Sequence, residues 1–212
     1  YLGFLHTAYR FVQNWAPEIS NVIIVPAKPT SSQNLNCSVS GYTDPENDPE
    51  QYYFLWYRNS KLNITFYRTV KHNILGYKNL TRYDVWNCTV IPNDGKVNGS
   101  AKSAKVKINN SAPSIPVLRY PINGDNAFIN RTPKFNWTNQ TDIDRDAIRY
   151  HIQLSTDKLF GGTVINNQSI LTNRYNYPRI LNFGTYYWRV RANDSINITK
   201  WSNISNFTLV KY

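Results

Sequence analysis

The sequence predicts an all-β chain: two tandem β-sandwich domains behind an N-terminal extension strand. Three observations predict it. Apolar and polar residues alternate with period two in stretches such as 51–58 and 184–192, and helical periodicity is absent. Aromatic residues are abundant, with 16 Tyr, 9 Phe and 6 Trp in 212 residues, which suits a pleated, half-buried surface. Turn residues interrupt the alternation, as in Pro92-Asn93-Asp94-Gly95 and Asn123-Gly124.

The first element is residues 1–15. Thr7 to Asn14 alternates and runs into Ala16-Pro17, and the segment carries Leu2, Phe4, Leu5, Tyr9 and Phe11 without a domain of its own. Three readings stand. It is a strand donated to the sheet edge of another copy, a strand paired within its own chain, or the last strand of a truncated neighbour. An echo marks where the domains begin: Asn14-Trp15-Ala16-Pro17-Glu18-Ile19 matches Asn110-Ser111-Ala112-Pro113-Ser114-Ile115. We therefore place the extension at 1–15, the first domain at 16–111 and the second at 112–212, the domains each of β-sandwich size. A second echo lies inside them. Gly41 to Tyr57 and Asn139 to Leu154 each read Thr-Asp, then an acid-rich turn, then an aromatic strand.

In domain one, Cys37 lies in an alternating strand, Trp56 in the next, and Cys88 in Trp86-Asn87-Cys88-Thr89-Val90. This resembles an immunoglobulin-like domain, with Cys on strand B, Trp on strand C and Cys on strand F. The acidic loop lengthens the gap from Cys37 to Trp56, and Trp86 stands where the family has a corner tyrosine. Cys37 and Cys88 are the chain's two cysteines, and in an exported chain they should pair rather than remain two buried thiols.

Domain two carries Phe135-Asn136-Trp137, Tyr150 to Leu154, Gly184 to Ala192 and Trp201-Ser202. These resemble the B, C, F and G strands of a fibronectin type III domain. The tandem as a whole resembles those of prokaryotic extracellular surface proteins. That resemblance implies the fold and an extracellular scaffold role, not a chemistry.

Sequons are the strongest functional signal. N-x-S/T occurs at Asn36, Asn63, Asn79, Asn87, Asn98, Asn109, Asn130, Asn136, Asn139, Asn167, Asn193, Asn197, Asn203 and Asn206, 14 in all. With 28 Asn and 31 Ser plus Thr in the chain, chance gives about 4. The excess points to N-linked glycans and export; accidental motifs in an Asn-rich β protein are the alternative. Strand phase agrees: Cys37, Cys88, Trp137 and Phe207 should face inward, so Asn36, Asn87, Asn136 and Asn206 just before them should face solvent.

The remaining composition narrows the function class. Met is absent, as expected of a processed chain or fragment, and no apolar run reaches the length of a membrane span. The formal charge of +11 comes from scattered Lys and Arg with no basic run, which points to a solvated surface rather than nucleic acid. The acids concentrate in two loops. Asp142, Asp144 and Asp146 offer spaced oxygen ligands for calcium, as does the Asp44–Glu50 loop, although Arg145 intrudes and the other motifs of an EF-hand are missing. A solvated acidic turn is the competing reading.

No catalytic residues are assigned, because His6, His72 and His151 lack any motif context and no phosphate loop or nucleophile elbow occurs. His151 reads as a surface residue. Calcium apart, no cofactor is expected. Trp56 should face the core with Phe54 and Tyr52, leaving Tyr53, Leu55 and Tyr57 as an outer stripe. Such a stripe marks either a partner surface or a face covered by its own chain. Taken together, the sequence points to a glycosylated, non-enzymatic subunit of an extracellular homopolymer at the cell surface. The alternatives are a monomeric adhesin or receptor fragment, and an accessory domain pair of a surface hydrolase.

Overall fold

The structure is a computed structural model that describes residues 13–123, the backbone of 126–128, and residues 131–211. Leu2, Phe4, Leu5, Tyr9, Phe11 and Asn130 lie outside the described residues. The chain divides into two units between Asn109 and Asn110, two residues before the expected boundary. The reason is local. Asn110 and Ser111 are hydrogen-bonded into the second unit, through Asp194 and Asp144.

The first unit has β1 (Asn21–Val25), β2 (Leu35–Ser40), β3 (Gln51–Arg58), β4 (Lys61–Arg68), β5 (His72–Leu75), β6 (Val85–Asn93) and β7 (Lys102–Lys107). Two sheets form, β1-β2-β5 and β4-β3-β6-β7, with antiparallel pairing throughout. The period-two pattern becomes burial directly: β3 alternates so that Tyr52, Phe54 and Trp56 are buried, and β6 buries Trp86, Cys88 and Val90. Between the sheets Cys37 and Cys88 form a disulfide, with Trp56 and Trp86 edge to face beside it at 6.3 Å. The Trp56 indole donates to buried Asn73 at 2.8 Å.

The second unit has β8 (Leu118–Tyr120), β9 (Asn126–Phe128), β10 (Lys134–Trp137), β11 (Arg149–Ser155), β12 (Ile165–Ile170), β13 (Arg174–Asn176), β14 (Gly184–Asn193) and β15 (Ser205–Leu209). Its sheets are β13-β10-β8 and β12-β11-β14-β15-β9, the last pair parallel. Phe135, Trp137, Trp188 and Phe207 fill its centre, with Phe135 and Trp188 ring centroids 5.0 Å apart.

The register aligns the centres of the two units, although a shift between Asn136 and Trp137 has no counterpart at Asn36 and Cys37. Asn36 stands opposite Val25 and Ile74; Asn136 stands opposite Tyr120 and Arg174. On the other sheet Cys88 faces Trp56 and Trp188 faces Leu154. Cys37 thus corresponds to Trp137, and Cys88 to Trp188. The all-β tandem sandwich expected from alternation is the observed architecture. Among the described residues the sole helical piece is a 3₁₀ turn at Tyr77–Asn79.

Candidate functional site: sequon faces and acidic cradles

Among the described residues, every sequon asparagine is exposed or half-buried. Asn36, Asn87, Asn136 and Asn206 sit one residue before Cys37, Cys88, Trp137 and Phe207, all at most 1% exposed, so the strand pleat turns each asparagine outward. Several acceptor side chains are already held. Asn87 Nδ2 donates to Thr89 Oγ1, its own sequon hydroxyl, at 3.1 Å. Asn109 Nδ2 donates to the Pro29 carbonyl at 3.2 Å, and Asn79 Nδ2 to the Gly76 carbonyl at 3.2 Å.

The two acidic loops have one geometry. In the first unit Asp44 Oδ1 accepts from the backbone N–H of Glu46 and Asp48, at 3.1 and 2.9 Å. In the second, Asp142 Oδ1 accepts from Asp144 and Asp146, at 2.7 and 3.5 Å. Both turns pass through a left-handed residue, Asn47 (φ 58°) or Arg145 (φ 65°). Carboxylate oxygens of Asp44, Glu46 and Asp48 approach within 4.8 Å of one another, and so do those of Asp142, Asp144 and Asp146. The other oxygen of the leading acid, Oδ2 of Asp44 or Asp142, is buried without a hydrogen-bond donor among the described residues. Burial is the main cause that raises the Asp142 carboxyl above its ordinary pKa, with Asp144 and Asp146 adding to it against the two amide donors. Burial also pushes the neighbouring Tyr42 hydroxyl up to about 12, helped by the charges of Asp44, Asp94, Glu50 and Asp48.

In each unit a further buried acid, not singled out from the sequence, holds the asparagine that leads into the unit. Asp94, 1% exposed, accepts from the amides of Lys96 and Val97 (both 2.7 Å) and from Asn14 Nδ2 (2.8 Å). Asp194, 3% exposed, accepts from Ile196 (2.7 Å), Asn197 (2.5 Å) and Asn110 Nδ2 (2.7 Å). The backbone after each asparagine is gripped too: Trp15 N–H by Glu46 at 3.2 Å, Ser111 N–H by Asp144 at 2.9 Å. Residues 14 and 15 of the expected extension therefore behave as the entry to the first unit. The repeated Asn93-Asp94 and Asn193-Asp194 dipeptides were the available signal.

Tyr53, Leu55 and Tyr57 point outward from β3 and are half-buried. Tyr53 packs on Tyr67 of β4, ring centroids 5.2 Å apart, while Tyr57 lines a hollow of about 430 Å3 with Ser60, Val85, Asn87, Thr89 and Lys105. The corresponding face of the second unit corrects the expectation for His151. It points outward as predicted but is 6% exposed, because Trp201 lies across it at 4.7 Å. Arg189 and Arg191 stack on the same indole, each 4.4 Å from its centroid, and Arg191 Nε donates to His151 Nδ1 at 3.1 Å. Burial, then the two guanidinium charges, lower the His151 pKa against the Asn166 hydrogen bond. His6 lies outside the described residues, and His72 is exposed on β5, far along the chain from either cluster.

Residues 125–211 match the family model described as the N-terminal immunoglobulin domain of Rha78A-like proteins. The match falls on the second unit, whose residues resemble a fibronectin type III domain; both labels describe the same two-sheet sandwich. No curated protein matches the chain. Among solved structures, the FN1–FN3 domains of chicken CNTN1 are 11% identical with a TM-score of 0.40, covering 91% of this chain. This chain spans 66% of the length of that one. A two-domain fibronectin type III segment of chicken tenascin is 9% identical with a TM-score of 0.46, covering 90% of this chain and 98% of that one.

Proposed function

We propose that the chain is a non-enzymatic, heavily N-glycosylated extracellular structural protein, a repeating subunit of a surface filament or layer. The observation that carries this reading is the placement of the sequons. Fourteen are present where chance gives about 4, and not one of those in the described residues is buried. An Asn-rich composition alone would scatter motifs without regard to strand phase. The inter-sheet disulfide supports an oxidising compartment. No helix among the described residues is long and apolar enough to cross a membrane.

Assembly is assigned to the segment before Asn14 and to the outer face of β3. In sequence that segment stands before Asn14-Trp15-Ala16-Pro17 as β7 stands before Asn110-Ser111-Ala112-Pro113. Its apolar residues suit strand addition to another copy, and a head-to-tail contact that does not close generates fibres. Calcium belongs to the proposal, at Asp142, Asp144 and Asp146 and at their counterparts Asp44, Glu46 and Asp48. A buried, unpartnered carboxylate oxygen in each cluster is the group a hard cation would satisfy. Nucleic acid and a membrane span have no part in it.

A second reading, a monomeric adhesin or receptor fragment, is favoured by the Trp201 face, where Phe160, Arg189, Trp201 and Arg191 form a continuous stack. Glycopeptide mapping of the exported protein tests the glycan component: bare asparagine at more than half the sequons contradicts it. Negative-stain microscopy of the same material separates the two readings. Filaments or sheets support the first, and dispersed particles at all concentrations support the second.

A further inference from the structure

The outer face of β3 holds two different surfaces. At one end Tyr53 is covered by Tyr67. At the other end Tyr57 borders the 430 Å3 hollow, and the register places Asn87 directly across from it on β6. Both the acceptor asparagine and the sequon threonine, Thr89, are in the wall of that hollow. Two other hollows are also walled in part by a sequon asparagine, Asn139 in one and Asn203 in the other, but neither sets an aromatic ring beside it on the same sheet rung.

We propose that the Tyr57 end of this face is a seat for the first sugars of a glycan on Asn87, which fold back over their own sheet. The proposal rests on the glycosylation reading above and adds to it where one glycan lies. The chemistry fits. The C–H face of a pyranose is apolar, and so is the tyrosine ring face, whose negative quadrupole attracts the partly positive C–H edges. Ser60, Thr89 and Lys105 also line the hollow and carry hydrogen-bonding groups that suit sugar hydroxyls. A sugar tethered to Asn87 loses no translational freedom on settling there, so contacts too weak to hold a free saccharide suffice. The seat commits this end of the face to a sugar and leaves the Tyr53 end to contacts between subunits.

The test uses exported, glycosylated protein. The Asn87 glycopeptide is mapped first. Hydroxyl-radical footprinting of Tyr57 is then compared between the native chain and Asn87→Gln, with exposed Tyr83 as the internal reference. The expected result is an occupied Asn87 and Tyr57 oxidation several-fold slower in the native chain, with Tyr83 unchanged. Enzymatic trimming of the native glycans should reproduce the rise without any substitution. An occupied Asn87 with equal Tyr57 rates overturns the seat and leaves the glycosylation reading standing. A bare Asn87 overturns the seat and removes that site from the glycosylation reading as well.

Discussion

The two units solve the same packing problem with different chemistry. Where the first joins its sheets by the disulfide between Cys37 on β2 and Cys88 on β6, the second places Trp137 on β10 and Trp188 on β14, ring centroids 6.5 Å apart. Trp56 of the first unit gives way to Leu154 in the second, while both cysteine positions become tryptophans. A sandwich centre thus needs one inter-sheet staple and enough aromatic volume, and the residue type supplying each is interchangeable. One solvent-facing position is kept, since Asn36 and Asn136 carry sequons on both versions, whereas Asn87 gives way to Tyr187.

Breaking either staple should give the largest effect and should confine it to one unit. Cys88→Ser removes a crosslink over 51 residues, worth about 4 kcal/mol in the chain-entropy account. Trp188→Ala leaves a cavity and removes one of two donors to the Pro121 carbonyl, the other being Ser205 Oγ, at a cost of about 3–5 kcal/mol. Denaturant unfolding followed by unit-specific hydrogen exchange should show the first change lowering only the first unit, and the second only the second.

The acidic cradles are where the units should agree. Calcium binding should stabilise both, by roughly 2.7 kcal/mol for each site at a hundredfold excess over its dissociation constant. Calorimetry with and without a chelator measures this. Asp142→Asn should abolish the calcium-dependent shift of the second unit alone. If neither melting point responds to calcium, both clusters are solvated turns.

Without calcium, pH should separate the units through Asp142 and Asp94. The Asp142 pKa is raised by burial, so its contribution favours the protonated form, is present in full below about pH 4 and is lost as pH rises through the folded value. Asp94 goes the other way. Burial works to raise its pKa, but bonds from Val97, Asn14 and Lys96 override it and lower it, so its contribution is present above about pH 4 and is lost as pH falls through the folded value. On acidification the deficit of Asp94→Asn relative to the native chain should therefore shrink. Asp142→Asn, which resembles the protonated acid, should lose whatever advantage it has at neutral pH.

The smallest expected difference lies in the turns. Asn47 tolerates the left-handed conformation that Arg145 adopts with strain. Arg145→Asn should raise the stability of the second unit by about 0.5–1 kcal/mol, read as a shift in its denaturant midpoint. Asn47→Arg should lower the first by a similar amount.

How much of this was legible follows from the range of the signal. Period-two alternation is local, so the inward set Tyr52, Phe54 and Trp56 and the outward sequons could be read directly from strand phase. The acidic loops were legible because their spacing is local too. His151 was not, since it is buried by Trp201, fifty residues further along the chain and outside any strand. Asp94 and Asp194 read as ordinary turn residues until the fold brings Asn14 and Asn110 to them. The parallel pairing of β9 with β15 has no sequence signature of its own.

On the proposed reading, glycosylated subunits assemble through the segment before Asn14. Negative-stain microscopy compares the exported chain of residues 1–212 with the same chain lacking residues 1–12, with hydrogen exchange confirming that both units of the shortened chain remain folded. Filaments or sheets from the full chain and dispersed two-unit particles from the shortened one are the predicted result. Assembly by the shortened chain, or no assembly by either, would overturn assembly through that segment.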